Sequence, residues 1–292
     1  MKPAAFQYVR PSSLQEAISL LRDYGSNAKI LAGGQSLMPL LNFRMLRPAA
    51  LIDINRIPGL AYISEVEDGG ARIGCLTKHY SLETSPIIKD RFPILQTAMT
   101  HVAHLAIRNR GTVGGSLSHA DPAAELPMMA VLFDAHITVQ AADRARIISA
   151  KDFFLAPLTT ALKEDEIVTE IMLPGVASET GWAFEEFALR PGDFAFAAVG
   201  TMIRIKEAKV VEARIALMGV DEVPVRASKA ENLLVGESYQ DDLIQAAAES
   251  ARAAVNPNTD LRASADYRRH LVAALTERAL DSAWRMAAEA DH

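Results

Sequence analysis

At 292 residues with a net charge of −6, the chain is long enough to bury a large core shared by two or three subdomains, and it is too acidic to neutralise a nucleic-acid backbone. Half of the residues are hydrophobic and 23% are charged, an ordinary globular balance, and no apolar run approaches the roughly eighteen residues of a membrane span. A single cysteine, Cys75, excludes an internal disulfide and excludes an iron–sulfur cluster held by this chain alone, which takes about four thiolates. In its strand-like setting Cys75 reads as a small buried hydrophobe. The opening residues, MKPAAFQY, carry no apolar h-region and no cleavage site, so a cytoplasmic location is expected.

The first predicted element is a helix. Pro11-Ser12-Ser13 provides its start, with either serine as cap and Gln15 or Glu16 closing a capping box three residues on. Leu14, Ala17, Ile18 and Leu21 recur at helical spacing, and Gly25 is placed to end the run. A short buried strand over 28–31, a helix over 37–45 with Pro39 in its first turn, and a strand over 50–54 follow. From about residue 58 the texture shifts to short strands, 62–64 and 71–74, around a turn at Asp68-Gly69-Gly70. A helix from Pro93, an apolar helix over 126–133, a hairpin of 136–139 with 146–148, and a strand over 167–173 complete this part. The stretch 174–180 (PGVASET) reads as a linker. Beyond it the pattern predicts a three-stranded antiparallel meander that includes 195–205 and 210–217, then helices over 241–254 and 264–288.

Two glycine-rich segments carry the chemistry, Ala32-Gly33-Gly34-Gln35-Ser36-Leu37 and Thr112-Val113-Gly114-Gly115-Ser116. Neither is a G-x-G-x-x-G fingerprint or a phosphate loop ending in Gly-Lys-Ser/Thr. A Gly-Gly pair opening into a helix bares consecutive backbone N–H groups, which suit phosphate oxygens, and Ser36 and Ser116 add hydroxyls. Two such segments from separate subdomains would share one pyrophosphate, with a dinucleotide in the cleft between them. The alternative, glycines that merely serve tight turns, stays open. Downstream, His119 is the histidine placed to approach such a ligand. The backbone of Asp121 is restricted by Pro122, so its carboxylate is positioned either to accept from a ribityl or ribose hydroxyl or to cap the helix that follows.

Other candidates have plainer readings. His101 and His104 could share a helix face but lack a third metal ligand. Arg108-Asn109-Arg110 could neutralise a phosphate, cap a helix or face a partner; Lys163-Glu164-Asp165-Glu166 reads as a solvated turn; Trp182 and Trp284 read as core or interface residues. No G-x-S-x-G elbow is present.

In order along the chain, AGGQSL at 32–37, TVGGS at 112–116, HADP at 119–122 and RPGDFA at 190–195 make a set. It resembles the FAD-binding medium subunit of molybdenum hydroxylases, the carbon monoxide dehydrogenase and xanthine dehydrogenase family, which includes hydroxylases of aromatic N-heterocycles. The likeness spans essentially the whole chain. It implies an α+β protein with a PCMH-type FAD-binding domain of two α/β subdomains, 1–57 and 58–176, and a C-terminal flavoprotein domain, 177–292, with a three-stranded antiparallel sheet and helices. By the same resemblance, Lys29, Ile30, Leu31, Ala32, Gly33, Gly34, Gln35, Ser36 and Leu37, together with Thr112, Val113, Gly114, Gly115 and Ser116, cradle the FAD pyrophosphate. Asp121 contacts the cofactor, Ile167 lies against it through backbone, and Phe194 sits near the flavin ring. Gln35 stands where many relatives carry histidine, and Phe194 where tyrosine is common.

The resemblance also implies partners: a large molybdopterin subunit and a small subunit with two [2Fe–2S] clusters, assembled as a dimer of three-chain units. The implied role is to pass electrons from those clusters through FAD to an external acceptor, with no proton-transfer catalyst on this chain. Two other roles would suit the same fold, a self-contained PCMH-type flavin oxidoreductase and a redox-silent nucleotide-binding assembly subunit.

Overall fold

The computed structural model describes residues 2–290; residue 1 and residues 291–292, at the ends of the outer expected domains, lie outside the described residues. The chain opens with β1 (Gln7–Val9), α1 (Leu14–Tyr24), β2 (Ala28–Leu31), α2 (Leu37–Asn42) and β3 (Ala50–Asp53). The three strands form a parallel sheet with β3 in the centre, Val9 opposite Ile52 and Leu31 opposite Asp53. The capping box at α1 is present: the Ser13 side chain accepts from the Glu16 amide, and the Glu16 carboxylate accepts from the amide and hydroxyl of Ser12 at 2.7 and 2.8 Å. Ala17, Ile18 and Leu21 are buried against this sheet, and Gly25, at φ 55°, ends the helix. The helix expected over 37–45 stops at Asn42. Arg44 turns left-handed (φ 57°), and the amides of Phe43 and Met45 return to Pro39 and Leu40, which closes the turn and leaves both side chains exposed.

A second, antiparallel sheet follows in the order β4-β5-β10-β6-β7, built from β4 (Ile63–Glu65), β5 (Ala71–Gly74), β6 (His136–Gln140), β7 (Ala145–Ser149) and β10 (Ile167–Leu173). The central strand is β10, paired with β5 on one side and β6 on the other, as its run of apolar and β-branched residues requires. Between β5 and β6 lie α3 (His79–Thr84), α4 (Pro86–Arg91), α5 (Pro93–His101), α6 (Leu105–Arg108), α7 (Val113–His119) and α8 (Glu125–Leu132). A short α9 (Ala150–Phe153) and a small ribbon of β8 (Phe154–Ala156) and β9 (Thr159–Thr160) complete the layer. The second Gly-Gly pair is not a loop: Gly114 and Gly115 lie in the first turn of α7, because Thr112 caps that helix by accepting the Gly115 amide on its side chain.

The last part contains β11 (Thr180–Phe187), β12 (Ala197–Lys206) and β13 (Lys209–Met218), the expected meander. A two-residue strand, β14 (Val225–Arg226), extends its edge and is too short to show in a pattern. Over one face pack α10 (Ser228–Leu234), against β13, and α12 (Ala265–Ala290), against β11 and β12, with α11 (Asp241–Ala253) set against both helices. Close packing there requires Gly181, because a Cβ on it would lie 2.0 Å from the Ala283 carbonyl oxygen on α12. Gly200 meets Leu132 and Met129 of α8 on the opposite face, so one apolar core runs from the second sheet into this one. No helix among the described residues is long and apolar enough to cross a membrane.

Candidate functional site

A cleft of about 780 Å³ opens between the first two sheets and the 190s turn, within the size range of small-molecule sites. The two glycine segments meet across it. A Cβ on Gly33 would stand 2.4 Å from the Arg110 carbonyl oxygen and 2.9 Å from the Gly111 Cα, so only glycine permits the contact. Gly34 has φ 73°, a conformation glycine adopts freely. None of the amides of Gly33, Gly34, Gln35 and Ser36 has an acceptor among the described residues, and the Ser36 side chain makes no cap bond. The Gln35 side chain folds back, its Nε2 donating to the Gly33 carbonyl at 2.8 Å. This first loop is therefore a concavity of unspent donors beside a glycine that leaves room for close approach, and it fits an anionic phosphate.

The second segment works differently. The amides of Val113, Gly114, Gly115 and Ser116 are taken by Thr77 O, Cys75 O, the Thr112 hydroxyl and Thr112 O. The expectation of two matched amide cradles is thus corrected: the first loop offers backbone donors, whereas the second supplies a wall. Gly114 is needed because a Cβ there would stand 2.5 Å from the Cys75 Cβ, which lets α7 sit directly on the end of β5. Cys75 itself is a buried thiol, pushed up to about 12 by desolvation.

Of the residues expected to hold a cofactor, Lys29, Ile30, Ala32, Gly33, Gly34, Gln35, Ser36 and Leu37 line the cleft from the first sheet. From the start of α7 and its neighbours come Thr112, Gly114, Gly115, Ser116, His119 and Asp121, with Ile167 from β10 and Phe194 from the 190s turn. Leu31 and Val113 do not line it; Val113 is buried in the core, and Leu31 is engaged in β2. Asp121 does not cap the helix that follows, since α8 starts at Glu125 with Ala124 as its cap residue; its Oδ1 instead accepts from the Ala123 amide at 2.9 Å, and it borders the cleft. Phe194 is 58% exposed and makes no ring contact among the described residues, which leaves its face open to a planar group.

The cationic and acidic candidates resolve as follows. Arg108 is engaged within the fold: it pairs with Glu83 at 2.7 Å and donates to the carbonyls of Val102 and Ala103. His101 lies against Phe184 and 3.6 Å from Glu186. The turn at 163–166 is not a solvated one throughout, because Glu166 is buried, lines the cleft and accepts both guanidinium bonds of Arg146. That pairing holds its carboxyl down to about 2. Among the described residues no group of three or more His, Cys, Asp or Glu side chains is arranged for a metal.

Two cleft residues escaped the sequence pattern. His79 is buried, and its Nε2 lies 3.2 Å from Thr112 O; a carbonyl only accepts, so this nitrogen carries the proton, and Nδ1 is left without a partner among the described residues. Desolvation pushes its imidazole down to about 4, so it is neutral at pH 7. Glu125 stands just before the apolar stretch that marks α8, so the periodicity had assigned it no role. Burial first, and then Glu186 and Asp121, push its carboxyl up to about 8. The folded state thus holds a proton there that the unfolded chain releases at ordinary glutamate pH. Wild-type stability should fall as pH rises through the interval between the two values. Glu125→Gln should remove that slope and leave the FAD-free chain about 1–3 kcal/mol more stable than wild type at pH 8, with no difference near pH 4.5. Urea titrations of both proteins at the two pH values check this.

A glycine-lined cleft bordered by free amides and by an open aromatic ring has the features of a dinucleotide-binding site. Residues 4–176 match the family described as "FAD binding domain in molybdopterin dehydrogenase", and residues 182–283 match "CO dehydrogenase flavoprotein C-terminal domain". The chain is 42% identical to the 6-hydroxypseudooxynicotine dehydrogenase complex subunit alpha of Paenarthrobacter nicotinovorans, over 97% of this chain and 96% of that one. It superposes on carbon monoxide dehydrogenase of Hydrogenophaga pseudoflava with a TM-score of 0.95 at 39% identity, covering 98% of this chain and 99% of the other. Quinoline 2-oxidoreductase of Pseudomonas putida 86 gives 0.94 at 37% identity, with both chains covered completely. The protein belongs to the FAD-binding medium subunits of molybdenum hydroxylases, and is an oxidoreductase component that carries FAD.

Proposed function

We propose that this chain is the electron-transferring flavoprotein of a three-chain molybdenum hydroxylase. It would receive electrons from [2Fe–2S] clusters on a small subunit, next to a large molybdopterin subunit, and would pass them to an external acceptor. Two such three-chain units would form the complete assembly, in a cytoplasmic setting. The chain divides into subdomains at 1–57 and 58–176 and a C-terminal domain at 177–292.

The observation that carries this reading is the first loop, whose four unspent amides and left-handed Gly34 face the wall formed by Thr112 and α7. Bound there, FAD supplies the redox chemistry. The chain binds, orients and shields it. The amides of 33–36 and the Ser36 and Ser116 hydroxyls, which border the cleft, would hold the pyrophosphate, and Asp121 and His119 would serve the sugar or ribityl hydroxyls. Backbone at Ile167 and the exposed ring of Phe194, both bordering the cleft, would flank the flavin.

The test is titration of the FAD-free chain with FAD, followed by flavin fluorescence, for wild type and Phe194→Ala. Tight binding by wild type and weaker binding by the variant, by roughly fivefold or more, are expected from the loss of one stacking face. A folded wild type that takes up no FAD would sink the reading.

A further inference from the structure

The two segments that face each other across the cleft, the loop after β2 and the start of α7, belong to different parts of the fold, so something must set their separation. In the first sheet, Asn55 follows β3 and turns its Nδ2 onto three acceptors: Ala32 O at 2.8 Å, Leu31 O at 3.3 Å and Asp53 Oδ1 at 2.7 Å. Those two carbonyls belong to the strand end that leads into the first loop. Asp53 is buried and itself held by the Tyr8 hydroxyl and, at 3.9 Å, by Arg10. Beyond β5, residues 77–79 pair antiparallel with 111–113 in an isolated bridge: Val113 N donates to Thr77 O, His79 N to Gly111 O, and Lys78 bridges Thr112.

The Lys78 side chain then crosses the gap. Its Nζ lies 3.2 Å from Arg110 O and 3.5 Å from Asn55 Oδ1. The Arg110 carbonyl is the same group that touches Gly33. An unbroken polar path therefore runs from Asp53 through Asn55 and Lys78 to the residue that abuts the first loop. Together Lys78 and His79 engage three successive carbonyls, 110, 111 and 112. The ammonium is partly withdrawn from water, and desolvation together with Arg110 lowers its pKa while Asp53 opposes the shift.

We propose that Asn55 and Lys78 form a polar strut that sets the spacing of the two glycine segments, making both of them positioning residues for the dinucleotide. Neither residue lines the cleft, so neither is a ligand. The strut rests on the reading that FAD spans the two segments. Its logic is preorganisation: fixing the gap before binding removes an ordering cost that would otherwise reduce affinity. Lysine suits the task because one ammonium donates in three directions and so serves carbonyls from two segments at once.

The test measures FAD affinity and FAD dissociation rate in Lys78→Met, Lys78→Arg, Asn55→Ser and Lys78→Met/Asn55→Ser, with the melting temperature of each FAD-free chain as control. Lys78→Met should bind FAD roughly tenfold or more weakly, the scale of a lost bond from a charged donor, with faster release and little change in melting. Lys78→Arg should recover most of that loss. The double variant should be scarcely worse than the weaker single one, because both changes break one connection. The proposal is overturned if Lys78→Met binds FAD as tightly as wild type, or if the two losses simply add. Asn55→Ser supplies the same comparison should Lys78→Met melt early. A wild-type chain that takes up no FAD overturns the parent reading, and this one with it.

Discussion

Gly114→Val is expected to cost about 3 kcal/mol or more and to unseat α7 from the end of β5. The new Cβ alone would stand 2.5 Å from the Cys75 Cβ and about 3 Å from that residue's backbone, with Cys75 O at 3.0 Å. Neither neighbour can move freely. Cys75 N donates to Thr169 O on the central strand, and Gly114 N donates to Cys75 O, so relief of the clash breaks bonds inside the core. Lost packing and lost cofactor binding should therefore arrive together, seen as early melting by circular dichroism and no FAD uptake. Gly33→Ala should behave differently. Its Cβ strikes the Arg110 carbonyl at 2.4 Å, at the contact between the first loop and the α6–α7 connection rather than inside a sheet. The segments would move apart while each sheet keeps its own pairing, so FAD binding falls with a much smaller change in melting. A Gly114→Val chain that melts like wild type would contradict the packing described for α7.

Arg268→Leu is expected to destabilise the C-terminal part by about 3 kcal/mol, a fall in melting temperature of roughly 6–12 °C. Arg268 is buried on α12, with Nη1 donating to Phe196 O at 2.7 Å and Gly219 O at 2.9 Å, and Nη2 to Asp260 at 2.8 Å. Leucine has the bulk but no donors, so two backbone carbonyls lose their partner. Lysine would rescue little, because one ammonium does not reproduce the planar fork that spans these acceptors. The consequence extends to the cleft, because Gly219 N donates to Pro122 O, beside Asp121, and Phe194 lies two residues before Phe196. A modest loss of FAD affinity should accompany the loss of stability. Differential scanning calorimetry and FAD titration of the same variant check both, and an unchanged melting transition would mean that solvent already satisfies these carbonyls.

Much of the fold is legible along the chain because its causes are local. The Ser12-Ser13-Glu16 box, the stripe Ala17-Ile18-Leu21 and the stop at Gly25 act within a few residues of one another, and α1 appears where they place it. The strands β2 and β10 match their expected limits for the same reason, since each is a compact apolar run ended by glycine or proline. The three-residue β1 carries too little pattern to read, and it exists because β3 offers it an edge. The helix after the first loop ends early because Arg44 turns left-handed, which no local residue announces.

By itself the sequence determined which segments bear the glycines, serines and acids of a dinucleotide site, and through its ordered motifs it determined the family. The tertiary structure alone decided which backbone donors remain free. Whether an amide is spent depends on an acceptor that another segment brings to it: Thr77 and Cys75 take the amides of Val113 and Gly114, while nothing among the described residues comes to those of 33–36. The same dependence hid His79 and Glu125, which enter the cleft through the packing of α3 and α8, and concealed the meeting of Asn55 with Lys78. Propensity and periodicity act over a few residues, whereas solvation and hydrogen-bond satisfaction are settled between chains of residues that only the packed sheets bring into contact.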